Sequence, residues 1–187
     1  GIATGMIAGY KKTMLDQLLM RSVDVILSLP ALLVMLLAVT AFGGGFLVLI
    51  CSAALVLFPG VARLVRTATL EVASRGFVDA AVARGEPTRA ILWREILPNL
   101  TGPIVADIGI RFSWAIIMIA GVNYLGLGIQ PPAADWGVMV SENRQELATN
   151  VWGVVAPALM LGLLIIAVNL LGEAYTARRN RAEGGGE

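Results

Sequence analysis

Histidine is absent from this 187-residue chain, and cysteine occurs once, at Cys51. These scarcities exclude the usual zinc and copper ligand sets, histidine acid–base chemistry and any internal disulfide. Cys51 lies in an apolar run and reads as a small buried apolar side chain. Charge is scarce as well: 14% of residues are Asp, Glu, Lys or Arg, against about 25% in soluble domains. The formal net charge is +1, which gives nucleic acid no electrostatic footing. No glycine-rich run ending in Gly-Lys-Ser or Gly-Lys-Thr occurs, so the chain carries no phosphate-binding loop of the NTPase type.

Apolar sequence fills the space that charge leaves. The chain is 57% hydrophobic with a mean hydropathy of +0.79, which places it among membrane proteins. A bilayer core of about 30 Å needs about 20 apolar helical residues. Val23–Phe42, Phe46–Val65, Pro103–Val122 and Val151–Gly172 meet that length, and Gly1–Tyr10 reads as the end of a fifth span. The chain starts at Gly1 with this half-length stretch, so it reads as lacking its original N-terminus. Continuous runs rather than alternation favour helices over a barrel. Gly1, Gly5 and Gly9 form two G-x-x-x-G steps, which let a neighbouring helix approach closely. Pro30, Pro59 and Pro157 are expected to kink their helices.

Basic residues set the expected orientation. Lys11, Lys12 and Arg21 lie in the linker Tyr10–Ser22; Arg63, Arg66, Arg75, Arg84, Arg89 and Arg94 lie in the segment Ala62–Leu100; Arg178, Arg179 and Arg181 lie in the tail after Gly172. These account for 12 of the 14 basic residues, and the three segments alternate so as to share one side, the cytoplasm. The Gly43–Gly45 turn and residues 123–150 then face outward. The tail from Arg178 to Glu187 is charged and glycine-rich and reads as disordered.

The segment DAAVARGEPTRAILWREILP, residues 79–98, holds six of the chain's 27 charged residues. Ala73, Gly76, Ala80 and Ala83 recur at three- and four-residue steps and share a helix face, so a backbone can lie close against another surface. Glu71, Arg75 and Asp79 are spaced for weak ion pairing. Gly85 suits a left-handed helix end and Pro87 cannot continue the helix. Thr88 reads as the N-cap of a second helix in which Leu92, Trp93, Ile96 and Leu97 cluster. Trp93 suits a membrane interface. Pro98 is expected to end that helix and Pro103 to open the next span. The residues alone thus describe a cytoplasmic helix–turn–helix, either a solvated connection or a docking element.

Asp79-Ala80-Ala81, Gly85 and Ile96-Leu97-Pro98 resemble the Glu-Ala-Ala loop of binding-protein-dependent ABC importer permeases, with an acid one methylene shorter at Asp79. The resemblance continues through Met20-Arg21-Ser22-Val23-Asp24, Leu29-Pro30-Ala31-Leu32-Leu33 and Pro59-Gly60-Val61-Ala62-Arg63-Leu64-Val65-Arg66. It includes Leu125-Gly126-Leu127-Gly128-Ile129-Gln130-Pro131-Pro132, Asp135-Trp136-Gly137 and Asn169-Leu170-Leu171-Gly172-Glu173. The motifs are similar to the "C" subunit of oligopeptide and dipeptide systems.

That resemblance implies an all-α polytopic membrane protein with the type I ABC importer permease fold, here with about five transmembrane helices, the first incomplete. Residues 1–187 would form one permease domain containing a cytoplasmic coupling loop (71–100), an external loop (123–150) and a cytoplasmic tail (173–187). It implies a multi-pass protein of the bacterial cytoplasmic membrane with a cytoplasmic C-terminus. The partners it implies are a second permease subunit, cytoplasmic ATPase subunits that hold the ATP and Mg, and an extracytoplasmic substrate-binding protein. Asp79, Ala80, Ala81, Gly85, Leu97 and Pro98 would couple to an ATPase. No catalytic or metal-binding residue and no cofactor is expected in this chain, and lipid rather than nucleic acid surrounds it. The cargo would be di- or oligopeptides; nickel chelates or glutathione are the alternatives within the superfamily. A secondary transporter without ATPases would have no docking loop.

Polar residues within spans need a reason, because a charge at a helix centre costs about 2.5–3.5 kcal/mol on insertion scales. Asp24 lies near a span start beside basic residues and reads as an interfacial ion-pair partner. Asp107 and Arg111 stand four residues apart and can either neutralise each other or line a pathway. Trp114 and Asn123 are further pathway candidates, with helix packing as the alternative.

Overall fold

The computed structural model describes residues 1–11, 14–130 and 132–184, without the side chains of Leu15, Thr176 and residues 178–184. Lys12, Pro131 and the side chains of Arg178, Arg179 and Arg181 therefore lie outside the described residues. The elements are α1 (Ile2–Tyr10), α2 (Met14–Leu27), α3 (Ala31–Phe42), α4 (Phe46–Val72), α5 (Gly76–Ala83), α6 (Thr88–Ala90), a π-helical segment (Ile91–Ile96), α7 (Leu97–Tyr124), α8 (Trp136–Asn143), a 3₁₀ turn (Arg144–Glu146) and α9 (Trp152–Gly184). No strand occurs among the described residues. The fold is all-α, as the apolar runs require.

Three helices are long and apolar enough to cross a membrane: Phe46–Val72, Thr88–Tyr124 and Trp152–Tyr175. A fourth crossing arises if α2 and α3 count as one broken span. The expected span Val23–Phe42 is divided because Leu29 precedes a proline and is biased away from helix. Pro30 itself is extended (φ −60°, ψ 121°) and opens α3, with Val34 N–H donating to its carbonyl at 3.1 Å. Pro59 and Pro157 lie inside continuous helices instead. The backbone of α9 runs on to Gly184, so the end expected to be disordered is helical that far; its Ala, Arg and Glu residues are good helix formers.

Contacts divide the chain into two units. The first comprises residues 1–28, 58–108 and 176–187; the second comprises 29–57 and 109–175. In the first, Met6, Val65, Val72, Val78, Ala81, Ile91, Leu92, Ile96 and Leu100 form one buried cluster. The glycine steps of α1 serve this unit. A Cβ on Gly5 would lie 2.6 Å from the Ala62 carbonyl oxygen, and one on Gly9 would lie 2.7 Å from that of Arg66. α1 therefore lies directly on the backbone of α4.

In the second unit Met35, Val39, Leu49, Ala53 and Val122 are buried together. α7 ends in a Schellman motif: Gly126 (φ +75°) donates to the Asn123 carbonyl and Leu127 to that of Val122. Asp135 caps α8, its Oδ1 accepting from Gly137 N at 2.8 Å and Val138 N at 3.2 Å. A Cβ on Gly137 would lie 2.7 Å from the Ala120 carbonyl oxygen, so α8 packs closely on α7. Asn169 of α9 donates to Ser113 Oγ of α7 at 2.8 Å, and Ser113 donates to the Gly109 carbonyl. The Asp-Trp-Gly and Asn-Leu-Leu-Gly-Glu motifs thus mark helix contacts. Cys51 is exposed rather than buried, beside Phe42, Leu47 and Leu55 on an apolar outer face of α4.

Much apolar surface is left uncovered. Only 6% of the most apolar window of α9 and 11% of that of the Thr88–Tyr124 helix are buried, as expected where lipid or a partner helix completes the packing.

Gly5→Ala is expected to destabilise the protein despite the better helix propensity of alanine, because the new Cβ meets backbone. Gly162→Ala, where a Cβ meets nothing within 4 Å, is expected to be stabilising by up to about 1 kcal/mol. Thermal unfolding in detergent reads both signs. Asp135→Ala removes the cap of α8 and is expected to cost about 1 kcal/mol by the same measurement.

Candidate functional site

The loop between α4 and α7 is a built structure rather than a solvated connection. α4 ends at Val72, and the turn Ala73–Arg75 separates it from α5. Ala73 consequently leaves the expected small-residue stripe, which reduces to Gly76, Ala80 and Ala83, all exposed. Arg75 pairs with Glu71 across this turn at 3.1 Å. Asp79 stands in the first turn of α5 and is exposed, where the helix dipole favours negative charge.

On the opposite face of α5, Val78 and Ala81 are buried at 2% and 0% exposure in the cluster of the first unit. Asp79, Ala80 and Ala81 are therefore adjacent in sequence but divided in role: two face outward and Ala81 anchors the helix. Leu97 is half-buried against the same cluster, and Pro98 is exposed.

A Schellman motif ends α5. Gly85 has φ +75°, its N–H donates to the Val82 carbonyl at 2.9 Å, and Glu86 N–H donates to that of Ala81 at 3.2 Å. Pro87, not Thr88, is the N-cap of the next helix; the Pro87 carbonyl accepts from Ala90 and Ile91. Arg84 ties the turn together, reaching Glu86 at 2.7 Å and Glu95 at 3.7 Å. Sequence reading missed this tie because Glu95 is eleven positions from Arg84, beyond any helical spacing.

The second helix does not stop at Pro98. Thr88–Tyr124 is continuous, with Pro98 and Pro103 inside it. The π turn provides the reason. Leu97 N–H donates to the Leu92 carbonyl, five residues back, and the widened turn gives the Pro98 ring room where an α turn would clash. Asn99 Nδ2 donates to the Glu95 carbonyl at 2.7 Å, replacing part of the interrupted ladder. Of the expected cluster, Leu92 and Ile96 are buried, but Trp93 is turned out and 56% exposed.

Two ion pairs join α2 to α4. Asp24 pairs with Arg63 at 2.5 Å, both about half-exposed, so the interfacial pairing expected of Asp24 is present with a partner on α4. Asp16 and Arg66 form a two-pronged contact, Nε to Oδ1 and Nη2 to Oδ2, each 2.6 Å, and the Asp16 side chain is only 12% exposed. This contact was not read from the sequence, where Arg66 served as an orientation signal and as part of the Pro59–Arg66 motif. The residues line a cleft of about 550 Å³ with Gln17, Met20, Arg21 and Thr67.

The pathway candidates are dispersed along α7. Asp107 and Arg111 are partly buried and both are engaged in polar interactions; Arg111 Nη1 lies 3.5 Å from the Leu57 carbonyl oxygen. Trp114 is 52% exposed. Asn123 is 1% exposed, and its Oδ1 accepts from Ile129 N at 3.0 Å, holding the loop that follows α7. A Cβ on Gly128 would collide with Asn123 Oδ1, so the glycine is required for that carboxamide to fit.

Long apolar helices connected by an anchored polar helical loop define an all-α multi-pass membrane protein. The chain belongs to the binding-protein-dependent transport system inner membrane component family, whose pattern matches residues 1–181. It is 34% identical over 173 residues to the di/tripeptide transport system permease protein DppC of Pseudomonas aeruginosa, covering 92% of this chain and 57% of that protein. It is 34% identical to the glutathione transport system permease protein GsiD of Pectobacterium atrosepticum, covering 92% and 58%. It is 30% identical to the oligopeptide transport system permease protein OppC of Haemophilus influenzae, covering 92% and 56%. The chain thus spans little more than half the length of these curated relatives.

Arg66→Met is expected to cost about 1–3 kcal/mol, because it leaves the shielded Asp16 carboxylate without its charged donor. Arg63→Met is expected to cost less than about 1 kcal/mol, since its pair is half-exposed. Parallel unfolding measurements in detergent compare the two.

Proposed function

We propose that this chain forms half of the translocation pathway of an ATP-driven importer for di- or oligopeptides and couples that pathway to cytoplasmic ATPase subunits. The observation that carries the coupling role is the division of α5 into two faces. Val78 and Ala81 fix it to the buried cluster, while Gly76, Asp79, Ala80 and Ala83 face outward. Such a helix transmits displacement with little loss. No long side chain intervenes on its outer face between Ala80 and Ala83, and its inner face moves only with the span helices.

In this reading a groove on an ATPase receives α5 and the Gly85 turn, with Leu97 and Pro98 carrying motion into α7. ATP and Mg are bound by the ATPase subunits, and closure of their dimer shifts α5 and switches access. A second permease subunit supplies the other half of the pathway, and a substrate-binding protein delivers cargo on the outer side near residues 123–150. The basic segments and the C-terminus lie in the cytoplasm. Asp107, Arg111 and Trp114 are the pathway candidates, since polar or exposed aromatic groups within spans favour a lined passage. Asn123 would act there through the loop it holds. The names of the di/tripeptide and oligopeptide relatives support a peptide cargo; glutathione, itself a tripeptide, is the second reading that a relative's name supports.

In a Cys51→Ser background, Ala80→Cys and Ala83→Cys are expected to crosslink to an ATPase subunit in membranes, and Ala81→Cys is not. Crosslinks confined to lipid or to the outer side would sink the proposed topology. Gly85→Val, forced into a φ that costs a branched residue about 1–2 kcal/mol, is expected to separate ATP hydrolysis from uptake or to block ATPase assembly. Normal uptake by this variant would remove Gly85 from the coupling role.

A further inference from the structure

We propose that the cleft between α2 and α4 holds the phosphate group of an anionic phospholipid, with Arg21 as its principal donor. The cleft encloses about 550 Å³, and its charged lining is Arg21, Arg63 and Arg66 against Asp16 and Asp24. Three positive charges against two negative leave a formal +1.

Pairing inside the cleft is one to one. Arg66 takes both oxygens of Asp16, and Arg63 takes Asp24. Arg21 stands three residues before Asp24 on α2, yet it forms no ion pair among the described residues. The surplus charge is therefore that of Arg21. Gln17, one turn back on the same side of α2, lines the cleft too and adds a carboxamide donor. A phosphate group with a single negative charge accepts from both donors and matches the surplus.

Depth assigns that phosphate to a lipid. α4 carries no charged residue from Phe46 to Ala62. From Phe46 to Arg63 the helix rises about 26 Å at ~1.5 Å per residue, and Arg66 stands about 4–5 Å further. Against a hydrocarbon core of about 30 Å, these arginines lie at headgroup level. Leu18 and Val25, three residues before and four after Arg21, are its neighbours on the helix surface, and each is 65% exposed. A lipid whose headgroup rests on Arg21 also covers these apolar side chains, which a soluble phosphate cannot do. Basic pockets between membrane helices are a general form of anionic headgroup site. This inference does not rest on the coupling role of α5.

The test uses the intact transporter in phosphatidylcholine vesicles containing a photoactivatable lipid. Photoactivatable phosphatidylglycerol is expected to label residues 17–25 about fivefold more than the phosphatidylcholine analogue does. Arg21→Gln is expected to remove that preference and Arg21→Lys to retain it. Comparable monodispersity of the two variants in detergent excludes misfolding as the cause. Arg89→Gln removes an exposed cation outside the cleft and is expected to leave the preference unchanged. An equal loss in that variant means diffuse surface charge rather than a site, and overturns the inference. Inorganic phosphate added at constant ionic strength is expected not to compete; if it abolishes the labelling, the occupant is a soluble phosphate and the lipid assignment fails. Equal labelling by the two lipids overturns it, as does absence of label on α2 because a protein subunit covers the cleft.

Discussion

The burial of Val78 and Ala81 against α4, the π turn and α1 is the contact on which the polar loop depends. α5 has only eight residues, too few to persist as a helix in water by itself. Its stability must come from the cluster that also contains Val65 and Val72 of α4, Ile91 and Ile96 of the π turn, and Met6 of α1. An alanine at the buried centre matters for distance. A larger side chain would hold α5 away from the buried cluster it packs on, and the outer face would lose its fixed position.

Close approach is the means by which this unit is built. Gly5 and Gly9 remove side chains where α1 crosses α4, and the contacts they permit are with backbone, which cannot yield as a side-chain tip can. Near lipid, where apolar burial gives little preference for one helix over another, such backbone proximity supplies much of the packing energy. The ion pairs Asp16–Arg66 and Asp24–Arg63 then set the position of α2 on α4. Arg63 and Arg66 lie in the C-terminal half of α4, whereas Asp16 and Asp24 stand near opposite ends of α2, so the two pairs hold α2 along its length.

Proline is accommodated here by three distinct means. At Pro30 the helix breaks and restarts. At Pro59 and Pro157 the helix carries on with one backbone bond missing. At Pro98 a π turn opens the ladder just ahead of the ring. The third arrangement has a consequence for the loop. Because the helix does not end at Pro98, the turns Thr88–Ile96 continue directly into α7.

Sequence by itself determined the elements whose cause is local. Apolar run length gave three of the four full spans, the fourth being broken at Pro30; Gly85 followed by Pro87 gave the turn, and the glycine steps of α1 gave a close helix contact, since each depends on bonds or sterics within a few residues. Asp24 was legible as half of an ion pair because an isolated charge near a span must be compensated. The tertiary structure decided what depends on residues distant in the chain. It put Ala81 inward and Ala80 outward, joined Arg84 to Glu95 and Asp16 to Arg66, and engaged Asn123 with the loop at Ile129. It also removed Ala73 from the stripe and carried the helix through Pro98. Spacing names the residues that share a helix face, but which face is covered is fixed by neighbours that only folding brings near.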